Sequence, residues 1–287
     1  MRPADRRIVL GLHRSRHQRR TLTSALDLGI TSLDTSFNYR GFTSHTTLTT
    51  VGGDLLPRFA VSTKVGYFPV PGGAEHSLDP DRLRAALEQT NRDLGRPPDF
   101  AFLHNPEASA QAEGPGRPEK RLAAACTALA EAAASGLCGA WGVSSWNPQP
   151  LVGLIDRAAP TPDVLMLRAG LLVHPRALDA AEAVASQWGL LPPALWGMSP
   201  FGGSATDRIW SAFDPRLFLR DAGSGLSRAQ AAFRVSYLLP GVSAVAVGAD
   251  DPEHQSQLAD CLGHEVDEEK LVQYRQLLRS RSRRHAA

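Results

Sequence analysis

Short runs rich in Val, Ile and Leu alternate along the chain with longer stretches whose apolar residues recur three and four positions apart. Arg7–Leu12 reads as a strand. Gln18–Leu28 reads as a helix on the spacing of Leu22, Ala25 and Leu26, ended by Gly29. Ile30–Asp34 is the next strand, Ser44–Leu56 a threonine-rich helix and Arg58–Lys64 a strand. Pro80–Leu94 carries a full set of helix signals: Asp79 to cap it, Pro80 in the first turn, Leu83, Leu87 and Leu94 on one face, and Gly95 beyond its end. The rhythm continues with strands at Asp99–Leu103, Gly139–Val143, Asp163–Leu167, Leu195–Met198 and Val242–Val247. Helices are expected at Pro118–Ser135, Pro150–Ala158, Pro175–Trp188, Ser227–Leu238 and Pro252–Cys261, with a last one over Glu268–Arg279.

Alternation of this kind implies a parallel sheet, and eight strand–helix units imply a closed (β/α)8 (TIM) barrel as a single domain over residues 1–287. An open doubly wound sheet has the same local signals, but no glycine-rich dinucleotide turn follows the first strand. Two connections, Asn105–Arg117 and Ser199–Gly225, are long and glycine-bearing. Both follow strands, which puts them on the face where a barrel carries its chemistry. The arginine-rich tail, Arg275 to Arg284, reads as a solvated helix end.

Composition narrows the function. With 31 basic residues against 29 acidic ones the net charge is +2, so a protein built mainly to hold nucleic acid is not expected. No apolar run reaches the roughly 20 residues of a membrane span, and Ile8–Leu12 is too short for a secretory core, so a cytoplasmic protein is expected. Cys126, Cys138 and Cys261 are odd in number and match no metal motif, which predicts reduced, buried thiols and no metal. Nothing points to a macromolecular partner, and the oligomeric state is not legible.

Four residues then stand out. Asp34 ends the second predicted strand, Tyr39 follows in its loop, Lys64 ends the third strand and His104 follows the fourth, so a barrel would bring all four to one mouth. Each has a structural alternative as a turn cap, a packing ring or a core histidine. Lys64 is the hardest to dismiss: the chain has only three lysines (Lys64, Lys120 and Lys270), and this one follows a buried-looking run. Lysine, unlike arginine, changes its pKa readily on burial and can share a proton.

The stretch GITSLDTSFNYRG resembles the aldo-keto reductase signature, with Asp34 and Tyr39 at the family's spacing. STKVG at 62–66 is similar to the strand that carries the family's lysine, and FLHNP at 102–106 to the one that carries its histidine. GVSSWNP at 142–148, MSPFGG at 198–203 and the closing AQAAFRVSYLLPGVSAVAVGADDPEHQSQL extend the resemblance across nearly the whole chain. The resemblance implies a reductase in which Tyr39 protonates a carbonyl oxygen, Lys64 lowers the phenol's pKa from near ~10, Asp34 holds Lys64, and His104 orients the carbonyl. NADPH, or NADH, would supply the hydride.

The chain departs from this family on the cofactor side. The first strand runs into Gly11-Leu12-His13-Arg14-Ser15, bulky where the family has room. Ser144-Ser145 stands for a Ser-Asn pair, Met166 for an amide-binding glutamine, and Met198 for the aromatic that stacks on the nicotinamide. Ser199 and Phe201 follow in the same loop. After the last strand, Gly248 leads into Asp250, Asp251 and Glu253, acids around the expected 2′-phosphate site, with His254 as the one nearby group able to carry positive charge. Arg208, Arg216 and Arg220 are further candidates from the long loop.

The resemblance therefore implies an NAD(P)H-dependent reductase acting on a small aldehyde, ketone or imine. Trp146, Tyr67 and Arg168 are expected to contact the substrate, with Arg14 and Arg40 as further anion-binding candidates. A cofactor-independent dehydratase, isomerase or lyase on the same barrel is the alternative. A non-enzymatic regulatory subunit, which potassium-channel β-subunits on this fold bring to mind, is the third reading.

Overall fold

A computed structural model of the chain describes residues 6–110, 117–221 and 225–284. Its strands and helices are β1 (Arg7–Gly11), α1 (Arg19–Asp27), β2 (Ser32–Asp34), α2 (Ser44–Gly52), β3 (Ala60–Val65), β4 (Tyr67–Val70), β5 (Gly73–His76), α3 (Pro80–Leu94), β6 (Phe100–His104), α4 (Glu107–Ala110), α5 (Pro118–Ala134), β7 (Ala140–Ser145), β8 (Val164–Arg168), α6 (Pro175–Gln187), β9 (Leu195–Met198), α7 (Ile209–Ala212), α8 (Arg228–Ser236), β10 (Ala244–Val247), α9 (Pro252–Asp260) and α10 (Glu268–Arg284). Eight of the strands close a barrel in the order β1-β10-β9-β8-β7-β6-β3-β2. Every pairing around it is parallel, so all eight C-terminal ends open on one mouth.

Strand alternation sorts the side chains. Val9, Phe102, Val164, Met166, Trp196, Ala244 and Ala246 fill the barrel interior, and the opposite faces pack under the helices in the larger core. Gly142 makes room for this interior: a Cβ there would lie 2.4 Å from the Val164 carbonyl oxygen and 2.8 Å from the Phe102 ring.

The helix signals in the sequence correspond to real caps. The Asp79 carboxylate accepts from the Arg82 amide at 3.0 Å, and Gly95 ends α3 in the left-handed conformation. Ser227 and Gln230 form a reciprocal capping box on α8.

Four expectations change. Pro150–Ala158 is not a helix but a single 3-10 turn, Gln149–Leu151, followed by turns. Ser44–Leu56 splits into α2 and a second short turn, Leu56–Arg58. An antiparallel hairpin, β4–β5, was not anticipated. The arginine-rich tail continues α10 and is anchored rather than merely solvated: Arg275 pairs with Glu182 at 2.6 Å, and Arg279 pairs with Asp179. Of the two long loops, residues 111–116 and 222–224 lie outside the described residues; the first contains α4, the second α7. All three thiols are free and buried. Among the described residues no helix is long and apolar enough to cross a membrane, and no three metal-binding side chains are grouped.

Candidate active site

Asp34 closes β2 and Lys64 sits near the end of β3, where the register sets Asp34 beside Ser62. Both charged side chains are buried. The Lys64 ammonium donates to Asp34 Oδ2 and to the Thr35 carbonyl, the latter at 3.1 Å. Ser62 Oγ donates to the other carboxylate oxygen at 2.8 Å. An ion pair taken out of water holds together only when its remaining hydrogen-bonding capacity is met, and here both members have a second partner.

Tyr39 comes from the loop after β2. That loop is tied to β3 by Phe37 N donating to the Lys64 carbonyl at 2.9 Å, and it turns through Tyr39 N to the Ser36 carbonyl at 3.1 Å. These bonds carry the phenol over Lys64, whose ammonium lies 5.3 Å from the ring centroid. Burial pushes the Tyr39 phenol above its ordinary pKa, the Lys64 charge opposing without overcoming it. This corrects the expectation of a lowered pKa: Lys64 acts in the expected direction, but loss of water outweighs it. Lys64 itself is pulled down by burial and raised on balance by Asp34 and Tyr39, so it stays an ammonium.

His104 ends β6, buried, 6.2 Å from the Tyr39 ring and 5.0 Å from Tyr67. Burial holds its pKa well below the usual histidine range, and the Lys64 charge lowers it further, so it is neutral. Its Nδ1 meets Ser36 Oγ at 3.1 Å, and Ser36 Oγ also contacts Asn38 Oδ1 at 2.7 Å and the Lys64 carbonyl oxygen at 3.2 Å. A hydroxyl has one proton to give. If Ser36 donates to Nδ1, the Asn38 amide turns its NH2 toward Ser36 and His104 presents Nε2–H as a donor. The β4–β5 hairpin braces this wall: His76 Nε2 donates to the His104 carbonyl at 2.7 Å, and its ring packs 4.7 Å from Tyr67.

These groups line one end of a cleft of about 670 Å³ that runs past Met198, Ser199 and Phe201 to Gly248 and Asp250, with Tyr67 and Trp146 on its walls. The loops around the barrel's mouth hold five non-glycine residues in the left-handed region: His17, Arg40, Phe42, Asn105 and Ser199, at φ of 52°, 52°, 69°, 48° and 56°. Such outliers concentrate where a site imposes its geometry.

Other expected contacts fall elsewhere. Met166 points into the barrel interior, packed beside Phe102 and Trp196. Ser145 is buried and turned outward toward Glu107, because Gly142 and Ser144 take the inward positions of β7. Ser144 lies beneath Met198, its Oγ 3.9 Å from the Met198 sulfur. His254 is exposed on α9 and does not line the cleft. Arg216 is paired with Asp214 and Arg220 with Glu265, and Arg208 also stays off the cleft. Asp250 does reach it, but its carboxylate accepts from Ser15 Oγ at 2.6 Å and Arg16 N at 2.8 Å. Asp251 is spent capping α9.

The sequence model of the Aldo/keto reductase family matches residues 11–171, a span that holds Asp34, Tyr39, Lys64 and His104. The chain belongs to this family. Solved aldo-keto reductases share its fold. The holo form of one from Bacillus halodurans is 16% identical at a TM-score of 0.70, over 94% of this chain and 91% of that one. One from Klebsiella pneumoniae, in complex with NADPH, is 17% identical at 0.67, over 94% and 90%. A putative one from Pseudomonas aeruginosa is 22% identical at 0.61, over 89% and 90%. No curated protein matches the sequence.

Within this aldo/keto reductase the site has a member that the sequence shows only as an obstruction. His13, from the loop after β1, packs edge-on against Tyr39 at 4.8 Å and lines the cleft. Its signal was its place just past a barrel strand. Asn38 carries no such signal; only its contact with Ser36, which touches His104, ties it to the site.

Proposed function

We propose that the protein reduces a small aldehyde, ketone or imine with a nicotinamide dinucleotide, Tyr39 acting as the general acid. The observation that carries this reading is the buried Asp34–Lys64 pair set beneath a neutral Tyr39 and beside a neutral His104. A raised phenol pKa keeps the proton on Tyr39 in the resting enzyme, the form a general acid needs. As the proton leaves, negative charge grows on a phenolate next to a fixed ammonium, an interaction stronger in the transition state than before it. Asp34 and the Thr35 carbonyl hold that ammonium in place. His104, with Nε2–H as donor, orients the carbonyl oxygen toward Tyr39.

A cleft of about 670 Å³ whose lining includes Tyr39, Gly248 and Asp250 supports a dinucleotide as its occupant. Met198, Ser199, Phe201 and Gly248 would line it. The Ser144 hydroxyl, fully buried with the weakly accepting sulfur of Met198 as its one described partner, would reach an amide only if the Met198 side chain moved aside. When bound, the cofactor supplies the hydride. The reading takes NADPH, the cofactor in the Klebsiella structure, with NADH as the competitor. The Asp250 charge is engaged by Ser15 and Arg16 rather than left bare, which softens its repulsion of a 2′-phosphate.

The alternative, acid–base chemistry without hydride, draws on one observation: Ser145 and Met166 turn away from the cleft, so an amide there finds few polar partners. The two readings separate on turnover with benzaldehyde and either nucleotide. Reduction by the wild type, with kcat lowered roughly 10²–10⁴-fold in Tyr39→Phe, supports the reductase. Equal rates in both proteins would remove Tyr39 from its role.

A further inference from the structure

Arg168 ends β8, with its Cα paired across the sheet to Met198 of β9. Alternate residues of β8, Val164 and Met166, point into the barrel, so Arg168 stands on the same inward face, one step nearer the strand's C-terminal end; it does not itself line the cleft and borders it through Trp146. Its guanidinium lies over the Trp146 ring, 5.0 Å from the centroid. Trp146 lines the cleft and is 44% exposed. The platform is rigid: Glu107 Oε1 accepts from both Trp146 N at 2.7 Å and Asn147 N at 2.8 Å.

Among the described residues this guanidinium has no anionic partner and no hydrogen bond. Its Nε is enclosed and unpaired, while the terminal nitrogens, which bond to nothing in the protein, are its open part. Burial alone lowers its pKa; no carboxylate, Glu107 included, is near enough to raise it. A half-buried cation without a counter-charge is costly, and other arginines of the chain avoid that cost by pairing with acids, as Arg19, Arg96, Arg216, Arg275 and Arg279 do. Arginine presents a planar fork that matches a carboxylate, and stacking on an indole presets its orientation.

We propose that Arg168, stacked on Trp146, binds a carboxylate at the far end of the substrate, making this a reductase of carboxylate-bearing carbonyl compounds. The inference rests on the reductase reading for the other end of the substrate. It also sets a length. β8 lies two strands from β6, which carries His104, so carbonyl and carboxylate sites are separated by roughly 10 Å at ~4.8 Å per strand. A para-substituted benzaldehyde spans that gap; an α-keto acid does not.

The test compares 4-carboxybenzaldehyde with benzaldehyde, using wild type, Arg168→Gln and Arg168→Lys. The wild type is expected to prefer the carboxylate, mainly through KM. That preference should fall about 10–100-fold in Arg168→Gln and by less in Arg168→Lys, which keeps the charge but loses the fork. An unchanged ratio overturns the proposal, as does a loss of NADPH affinity in Arg168→Gln that leaves the ratio alone. A second readout does not depend on turnover: benzoate is titrated against tryptophan fluorescence, without nucleotide. Saturable quenching that disappears in both Arg168→Gln and Trp146→Phe supports the site. Absent quenching, or quenching that survives Arg168→Gln, overturns it. A wild type that binds benzoate but reduces neither aldehyde counts against the reductase reading and leaves the anion site standing.

Discussion

Replacing Lys64 with methionine removes the buried ammonium while keeping much of its apolar stem. Phenolate charge is spread over ring and oxygen, so the 5.3 Å from ammonium to ring centroid is a fair separation. At that distance, with an effective dielectric of about 20, unit charges attract by about 3 kcal/mol. Because the resting phenol is neutral, nearly all of this falls on the transition state. Single-turnover loss of the reduced-nicotinamide signal should therefore slow roughly 200-fold. The same change leaves Asp34 buried with Ser62 as its polar partner. Breaking one half of a buried pair costs about 3–5 kcal/mol of stability. Methionine at 64 combined with Asp34→Asn should recover part of that stability in a denaturant titration and none of the rate. A folded Lys64→Met protein within fivefold of the wild-type rate would refute the electrostatic argument.

Three further outcomes are expected. Tyr39 and Lys64 are both raised and His104 is held low. The profile of kcat/KM against pH should therefore be flat through neutrality, with no step near 6.5 from His104; a step there that vanishes in His104→Gln would contradict the assignment. His45, buried against Thr63, has its pKa lowered by burial to about 4. A depressed histidine supports folding above its unfolded pKa of about 6.5 and loses that support as pH falls toward 4, about 3 kcal/mol in all, so denaturation midpoints of His45→Gln should depend less steeply on pH over that window. Gly142→Ala places a methyl against the Val164 carbonyl and the Phe102 ring and should cost about 1–3 kcal/mol by the same measurement.

The barrel and the Asp34, Lys64, Tyr39, His104 group were legible because both are written locally: strands alternate with capped helices, and a barrel mouth collects whatever ends each strand. What escaped depended on direction or solvation. Ser145 and Ser144 are adjacent, and strand alternation sends one outward and the other inward. A comparison of motifs does not see that. Met166 is turned inside by the same rule. The β4–β5 hairpin lies outside the barrel's rhythm, although Pro71, Gly72 and Gly73 form its turn signal. The direction of Tyr39's pKa turned on how much water the fold removes, a quantity no spacing encodes.

The central claim is that this cleft holds a nicotinamide dinucleotide against Tyr39. Titrating the folded protein with NADPH and with NADH, following nucleotide and tryptophan fluorescence, tests it most directly. Saturable micromolar binding of NADPH, with NADH weaker, is the predicted result. No binding of either nucleotide would contradict the account and turn Asp34, Tyr39, Lys64 and His104 toward chemistry without hydride.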